Sequence, residues 1–188
     1  MAKKKKRKAK PSKKAPLAGI RAFFESRRTQ TIIGSFVILL SIFLFTSFIS
    51  YLFNWQQDQS QLNNFADKSV TVGNLLGKVG ATVSHFLIYD GFGISVLYLP
   101  VLLFLTGIVI FFKGKRRRLN RAWGWGIPGI LWGAISFGFF SDLNTLLAGV
   151  VGFETNSYLQ QFLGKTGLFL VLLFLLIFYL VMRYNLTP

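Results

Sequence analysis

The chain has 188 residues, 52% of them hydrophobic, with 21 phenylalanines and a formal net charge of +16. One soluble core of this length cannot bury so much apolar surface, so we expect a bilayer to take up the excess. Cysteine is absent, which excludes disulfides, thiolate metal sites and cysteine nucleophiles. Twelve of the 22 lysines and arginines precede residue 29 and six lie between Lys113 and Arg121, a grouping typical of a membrane-topology signal.

Residues 1–28 form a basic tail that we expect on the cytoplasmic side. Its lysines repel one another and Pro11 and Pro16 interrupt it, so disorder is expected up to about Ala15. The stretch from Leu17 to Arg28 is expected to form a short amphipathic helix along the inner leaflet. We interpret the tail first as a topology signal that adheres loosely to anionic lipid, and second as a transient DNA contact.

The first predicted span covers 31–53. It is longer than the hydrophobic region of about 7–15 residues found in signal peptides, and no small-residue cleavage site follows it, so it is interpreted as an uncleaved anchor. Because its basic flank stays inside, this helix should run outward. Tyr51 and Trp55 are then expected at the outer membrane interface.

The segment from Val70 to Tyr89 is predicted to be an amphipathic helix in the outer interface. Apolar residues recur there at helical spacing, but Lys78 would lie near the centre of a span, at a cost of about 2.5 kcal/mol or more. A crossing here would also place the next basic loop outside, against the rule that keeps such loops in the cytoplasm. Asp90 and Gly91 are expected to end the helix.

The second predicted span covers 92–112 and runs inward. About twenty apolar residues suffice to cross the hydrocarbon core, and Lys113 to Arg118 follow at once as a cytoplasmic basic loop. Pro100 lacks a backbone N–H and is expected to kink this helix.

The third predicted span, 123–140, runs outward and is rich in glycine. Gly129 and Gly133 have the spacing of a flat helix-packing face. A second short interfacial helix is expected around Tyr158 to Leu163, and Gly164 should stop it. The fourth predicted span, 167–184, runs inward again.

An internal echo supports this layout. Phe86-Leu87 precedes Gly91 as Phe162-Leu163 precedes Gly167, with three residues between in each case. Each half of the domain is therefore predicted to contain a span outward, an interfacial helix, a glycine turn and a span back.

Candidate catalytic chemistry is sparse. His85 is the only histidine and has no companion at metal-ligand spacing, and the chain contains no phosphate-binding loop. Gly164-Lys165-Thr166 matches only the end of such a loop and is interpreted as a coincidence. We predict no catalytic residue, no cofactor and no metal. Lys78, His85 and Asp90 remain open as an ion or proton path.

Several glycine-containing motifs occur along the chain: Asn74-x-x-Gly77-x-x-Gly80-Ala81, Gly93 with Tyr98-Leu99-Pro100, Gly149-x-x-Gly152, and Phe162-Leu163-Gly164-x-x-Gly167. With the basic loop, they resemble the four-helix N-terminal membrane domain of the FtsK family of bacterial DNA translocases, over about Thr31 to Tyr184. The resemblance implies an inner-membrane anchor at the division septum for a hexameric cytoplasmic ATPase that pumps chromosomal DNA. We expect the chain to be the membrane portion of a longer protein, with 185–188 starting the linker to the motor.

The predicted fold is an all-α membrane protein over 29–184, with four transmembrane helices and two short interfacial amphipathic helices on the extracytoplasmic side. It is expected in the bacterial inner membrane at the septum, multi-pass, with both termini cytoplasmic. The expected function is anchoring, without enzymatic activity, in chromosome segregation during cytokinesis. Expected partners are membrane lipid, division-site proteins and further copies of the chain, with DNA met only through the motor or weakly through the tail.

Two alternatives stay open. One is a small transporter or channel that uses Lys78, His85 and Asp90, and the other is a basic membrane-bound regulator that touches anionic lipid or DNA. The residues predicted to matter for helix packing are Gly73, Gly77, Gly80, Gly129 and Gly133. The residues predicted to set topology and contact lipid are Lys113, Lys115, Arg116, Arg117, Arg118 and Arg121.

Overall fold

The computed structural model describes residues 26–61, 67 and 71–184, which form helices and turns and no strand. The expectations for residues 1–25 and for the linker at 185–188 lie outside the described residues. The helices are α1 (Arg27–Gln61), α2 (Gly77–Ser84) continued by a π-helical segment (His85–Phe92) and a 3₁₀ turn (Gly93–Leu97), α3 (Tyr98–Phe111), α4 (Arg116–Phe137) continued by a 3₁₀ turn (Gly138–Phe140), and α5 (Gly149–Tyr184).

Three stretches of the described chain are long and apolar enough to cross a membrane: Arg27–Gln61, Gly77–Phe111 and Gly149–Tyr184. The predicted spans 31–53 and 167–184 lie within them, and the predicted span 92–112 does so except for its last residue, Phe112. α4 contains most of the predicted span 123–140 but is not among these three stretches. An all-helical membrane domain is therefore confirmed.

The surface of the bundle is apolar where a soluble protein would be polar. On α1, Ile32, Phe36 and Leu39 are 70%, 64% and 65% exposed. On α5, Phe174 and Phe178 are likewise exposed. A continuous apolar exterior of this size marks a membrane-embedded surface, because water would strongly disfavour it.

α1 and α3 pack side by side in opposite directions. A methyl group on Gly34 would come within 2.8 Å of the Phe111 backbone, and one on Gly107 within 2.8 Å of the Ile38 backbone. Close approach thus depends on small residues, as is usual for helices in lipid. Further along, the Ser41 hydroxyl donates to the Pro100 carbonyl at 2.7 Å, which fixes the register of the pair.

The helical segment 77–92 packs against α1 and corresponds to the predicted interfacial helix, but its bounds differ from those predicted. It begins at Gly77 instead of Val70, because residues 71–76 form a turn before Gly77, whose φ is +65°. It ends at Gly91, whose φ and ψ of −93° and −119° are not helical, and at Gly93, with φ of +61°. The break expected after Asp90 is therefore present.

The kink expected at Pro100 is absent from the helix interior. α3 begins only at Tyr98, so Pro100 lies in the first turn, where a missing N–H costs no hydrogen bond. The chain changes direction earlier, at Gly91 and Gly93, because glycine tolerates backbone angles that other residues avoid.

The second half repeats this arrangement. α5 starts at Gly149, with φ of +66°, and is interrupted at Gly164, with φ of +69° and ψ of 165°. The expected interfacial helix is thus the end of a longer segment, 149–163. The break lies at Gly164 and not at Gly167, the glycine that the sequence echo paired with Gly91, because Gly167 remains helical.

The two halves meet through close backbone contacts. The Ile94 N–H donates to the Leu146 carbonyl at 3.0 Å, and a methyl group on Gly149 would lie 2.4 Å from the Gly91 carbonyl oxygen. Deeper in the bundle, the Trp132 indole donates to the Leu172 carbonyl at 2.9 Å and joins α4 to α5. The halves therefore form one packed domain.

Candidate functional site

Buried polar residues concentrate where α1 meets α2. Ser47, Ser50, Asp58, Asn74 and Ser84 are each at most 4% exposed. Buried polar groups are costly unless they are hydrogen-bonded, and within this cluster only Asp58 Oδ2 is buried without a partner among the described residues.

Asp58 holds the turn that precedes α2. Its Oδ1 accepts hydrogen bonds from the backbone N–H of Gly73 at 2.7 Å and of Asn74 at 3.1 Å. The Leu75 N–H donates to the Ser50 hydroxyl at 2.9 Å, and the Asn74 side chain donates to the Ser47 carbonyl at 3.0 Å. The carboxylate of Asp58 therefore has a structural role in fixing where α2 begins.

His85 is held on several sides. Its Nδ1 lies 2.7 Å from the Tyr51 hydroxyl, and its Nε2 lies 3.7 Å from the carboxylate of Asp90, whose side chain is half exposed. Its ring stacks on Tyr89 with 4.9 Å between centroids, and Tyr89 in turn stacks on Trp55. This arrangement gives Nδ1 a hydrogen-bond partner, places Nε2 near a carboxylate, and joins α1 to the π-helical segment.

The three residues of the possible ion path are only partly brought together. His85 and Asp90 are neighbours, whereas the Lys78 ammonium donates to the Asp67 carbonyl. All three residues lie in the segment 77–92, at one end of the bundle. Among the described residues there is no group of three or more histidines and acids that could hold a metal ion.

The predicted packing glycines occupy different environments. Methyl groups on Gly73, Gly80 and Gly133 would lie 2.9 Å or less from Asn54, Asn74 and Ser95, respectively. Gly77 has no atom within 4 Å of that position and instead supplies the positive φ that starts α2. Gly129 has only the Tyr179 hydroxyl within reach, at 3.8 Å.

Sequence reasoning missed other close glycine contacts. A methyl group on Gly126 would meet Leu102 at 2.6 Å, one on Gly138 would meet Asn156 at 2.4 Å, and one on Gly152 would meet the Ala134 carbonyl oxygen at 2.5 Å. Gly152 was noticed only as part of a motif. The others carry no local signal, since their partners are distant in the chain.

The basic residues gather at the other end of the bundle, which we call the basic end. It comprises the start of α1, the 112–115 hairpin, the first turns of α4 and the last turn of α5. The Arg27 guanidinium donates to the Phe111 carbonyl at 2.8 Å, which brings the first cationic block next to the end of α3, two residues before Lys113. Arg183 lies one helical turn beyond Tyr179, whose ring contacts Trp125 on α4.

All six predicted topology and lipid-contact residues lie at this basic end: Lys113, Lys115, Arg116, Arg117, Arg118 and Arg121. Each of them is exposed. Charged side chains collected at one end of an otherwise apolar bundle are suited to a membrane surface and its headgroups.

Comparison with protein-family models gives a match over most of the chain. The family model described as the 4TM region of DNA translocase FtsK/SpoIIIE matches residues 26–187, most of the chain. No curated protein and no solved structure matches. The all-helical bundle, its apolar exterior and its single basic end agree with that description. The chain therefore belongs to the family of the 4TM region of FtsK/SpoIIIE DNA translocases.

Proposed function

We propose that this domain tethers the cytoplasmic motor of a DNA translocase to the inner membrane at the division septum, with four crossings and both ends in the cytoplasm. The family supports a membrane anchor as the non-catalytic part of such a translocase. The observation that carries the orientation is the Arg27–Phe111 contact, which brings the first cationic block to the end of the bundle where the second block begins. Since cationic segments stay in the cytoplasm, that end is the inner one.

Anchoring in this scheme is mechanical and spatial. A motor tethered to a membrane patch meets other copies at a raised effective concentration, so ring assembly is favoured without any new contact between subunits. The two half-domains share close backbone contacts, which gives the tether a rigid base.

The opposite end of the bundle is the surface proposed to meet division proteins. On segment 77–92, Val79 and Phe86 are 55% and 66% exposed, and on segment 149–163, Tyr158 and Phe162 are exposed as well. The Asp58 and His85 clusters hold the first segment in place. Apolar side chains presented on fixed helices are typical of contact surfaces.

Localisation tests this proposal. A fluorescent protein fused after residue 184 should give a band at the division site of growing cells. A matched variant with Phe86→Ser and Phe162→Ser should stay in the membrane but spread evenly, because only the contact surface is altered. An even distribution of the unaltered domain would contradict septal tethering, and fluorescence in the soluble fraction would contradict anchoring itself.

A further inference from the structure

A groove of about 740 Å³ opens at the basic end of the bundle. α3 packs against both α1 and α4, so it forms the floor between them, with Val109 and Ile110 at the bottom. Ile33 on α1 and Leu119 on α4 form apolar walls. The size falls within the range of about 300–1,000 Å³ that is common for small-molecule sites.

The mouth of the groove is cationic. Lys113 and Arg116 line it, and none of its lining residues is acidic. Arg116 also opens α4, whose first turn has no acidic residue and whose N-cap, Lys115, makes no side-chain hydrogen bond. The positive end of a helix dipole disfavours cations, so an anion at this mouth would relieve both the dipole and the charge cluster.

Two further observations concern the same groove. Lys113 has a φ of +54°, a left-handed backbone that lysine rarely adopts, although Gly114 follows it directly. Gln30 lines the groove, and its Oε1 is buried without a hydrogen-bond partner among the described residues. An acceptor without a partner indicates that the occupant of the groove carries a hydrogen-bond donor, such as a hydroxyl group, as well as any anionic group.

We propose that this groove binds one anionic phospholipid of the cytoplasmic leaflet, with the phosphate at Lys113 and Arg116 and the chains between α1 and α4. The proposal rests on the cytoplasmic orientation of the basic end given under the proposed function. The groove has cations at the surface and the apolar residues Ile33, Val109 and Leu119 deeper inside. This arrangement matches a lipid of the inner leaflet, whose charged headgroup lies at the surface and whose acyl chains lie below it. Basic pockets between transmembrane helices on the cytoplasmic side commonly hold acidic headgroups.

Charge disfavours the other occupants. Residues 1–25 contain ten lysines and arginines and one glutamate, so the tail would be repelled by the cationic mouth. A second copy would bring the same cations to the contact and would be repelled for the same reason.

Native mass spectrometry of the full chain in detergent tests the site, with dioleoyl phosphatidylglycerol and dioleoyl phosphatidylcholine as probes. One tightly bound phosphatidylglycerol is expected, and phosphatidylcholine should bind at least about tenfold more weakly, since it lacks net charge. This readout does not depend on orientation in the cell, so its failure is distinguishable from failure of the anchor proposal. Equal binding of the two lipids would overturn the site.

A pair of charge-matched variants locates the binding. Lys113→Gly with Arg116→Gln should weaken phosphatidylglycerol binding about 25-fold, at about fivefold for each cation lost. Arg117→Gln with Arg118→Gln removes the same charge outside the groove and should weaken binding less than about fivefold. Equal losses in both pairs would show a diffuse charge effect and contradict the groove.

The apolar part has its own test. Ile33→Trp extends a wall residue into the groove and should displace the lipid while all cations stay in place. In a separate experiment on the unaltered chain, soluble glycerol 3-phosphate at the same concentration as the lipid should not compete with phosphatidylglycerol for the groove. If glycerol 3-phosphate bound the groove as well as phosphatidylglycerol does, the proposed role of the apolar walls would be contradicted. If the Ile33 variant fails to fold, the charge-matched pairs still decide the proposal.

Discussion

Replacing Gly152 with alanine should destabilise the domain, because this glycine lets α5 touch α4. The new methyl group would lie 2.5 Å from the Ala134 carbonyl oxygen and 2.8 Å from its carbon, so one backbone must move. Overpacking of this kind costs about 1–3 kcal/mol. Because the methyl group meets backbone atoms, the upper part of that range, about 2–3 kcal/mol, applies. Alanine recovers up to about 1 kcal/mol of helix propensity, so a net loss of about 1–2 kcal/mol in the free energy of unfolding is expected.

Gly124→Ala is the matched control. Gly124 lies in α4 with no atom within 4 Å of a methyl group, so only the propensity gain of up to about 1 kcal/mol applies and the domain should become more stable. Both variants would be compared with the unaltered chain by equilibrium unfolding in mixed detergent micelles. Opposite signs are predicted. If both substitutions shifted stability the same way, the close approach of α4 and α5 at Gly152 would be refuted.

Two further predictions use the same detergent-solubilised protein, and a third uses proteoliposomes. Asp58→Ala leaves the Gly73 and Asn74 N–H groups without their acceptor and should lower the free energy of unfolding by about 2 kcal/mol or more. Asp142→Ala, at an exposed position, should change it by less than about 0.5 kcal/mol. Equally small effects of the two substitutions would contradict the structural role of Asp58. Gly164→Ala should lower the free energy of unfolding by about 1–3 kcal/mol, because the backbone angles of Gly164 are essentially restricted to glycine. Gly167→Ala, in regular helix, should not destabilise the domain. The reverse order would indicate that the helix breaks at Gly167 and not at Gly164. In proteoliposomes, the unaltered chain and the variant with Lys78→Gln, His85→Gln and Asp90→Asn should both show background ion flux, and flux lost in the variant would restore the transporter alternative.

The positions of the long helices could be predicted from the sequence because apolar runs of membrane length leave few alternatives. The predicted spans 31–53 and 167–184 lie within long apolar helices, and 92–112 does so except for Phe112. The direction change after Asp90 was also predictable, since a glycine cluster interrupts the apolar pattern there.

Helix boundaries set by distant partners could not be predicted. The apolar spacing of Val72, Leu75 and Leu76 continues that of α2, yet Asp58 holds residues 73 and 74 in a turn. The break at Gly164, by contrast, was predicted from the sequence, where this glycine was expected to stop the second interfacial helix.

The polar cluster was only partly predictable. The sequence singled out His85 and Asp90, but Tyr51, the hydrogen-bond partner of His85, was assigned to the membrane interface alone, because a contact across 34 residues leaves no local pattern. The groove at the basic end was likewise hidden, although all six of its nearby cations had been noted, since it arises from how α1 and α4 flank α3.

The central claim is that the basic end faces the cytoplasm and the opposite end faces outward. Because the chain has no cysteine, single cysteines report each side without background: Ser157→Cys on segment 149–163, and Asn120→Cys on α4. With a membrane-impermeant thiol reagent on intact cells, Ser157→Cys should be labelled, and Asn120→Cys should be labelled only after the membrane is permeabilised. Labelling of Asn120→Cys in intact cells would contradict the orientation and, with it, the role as a cytoplasmic tether.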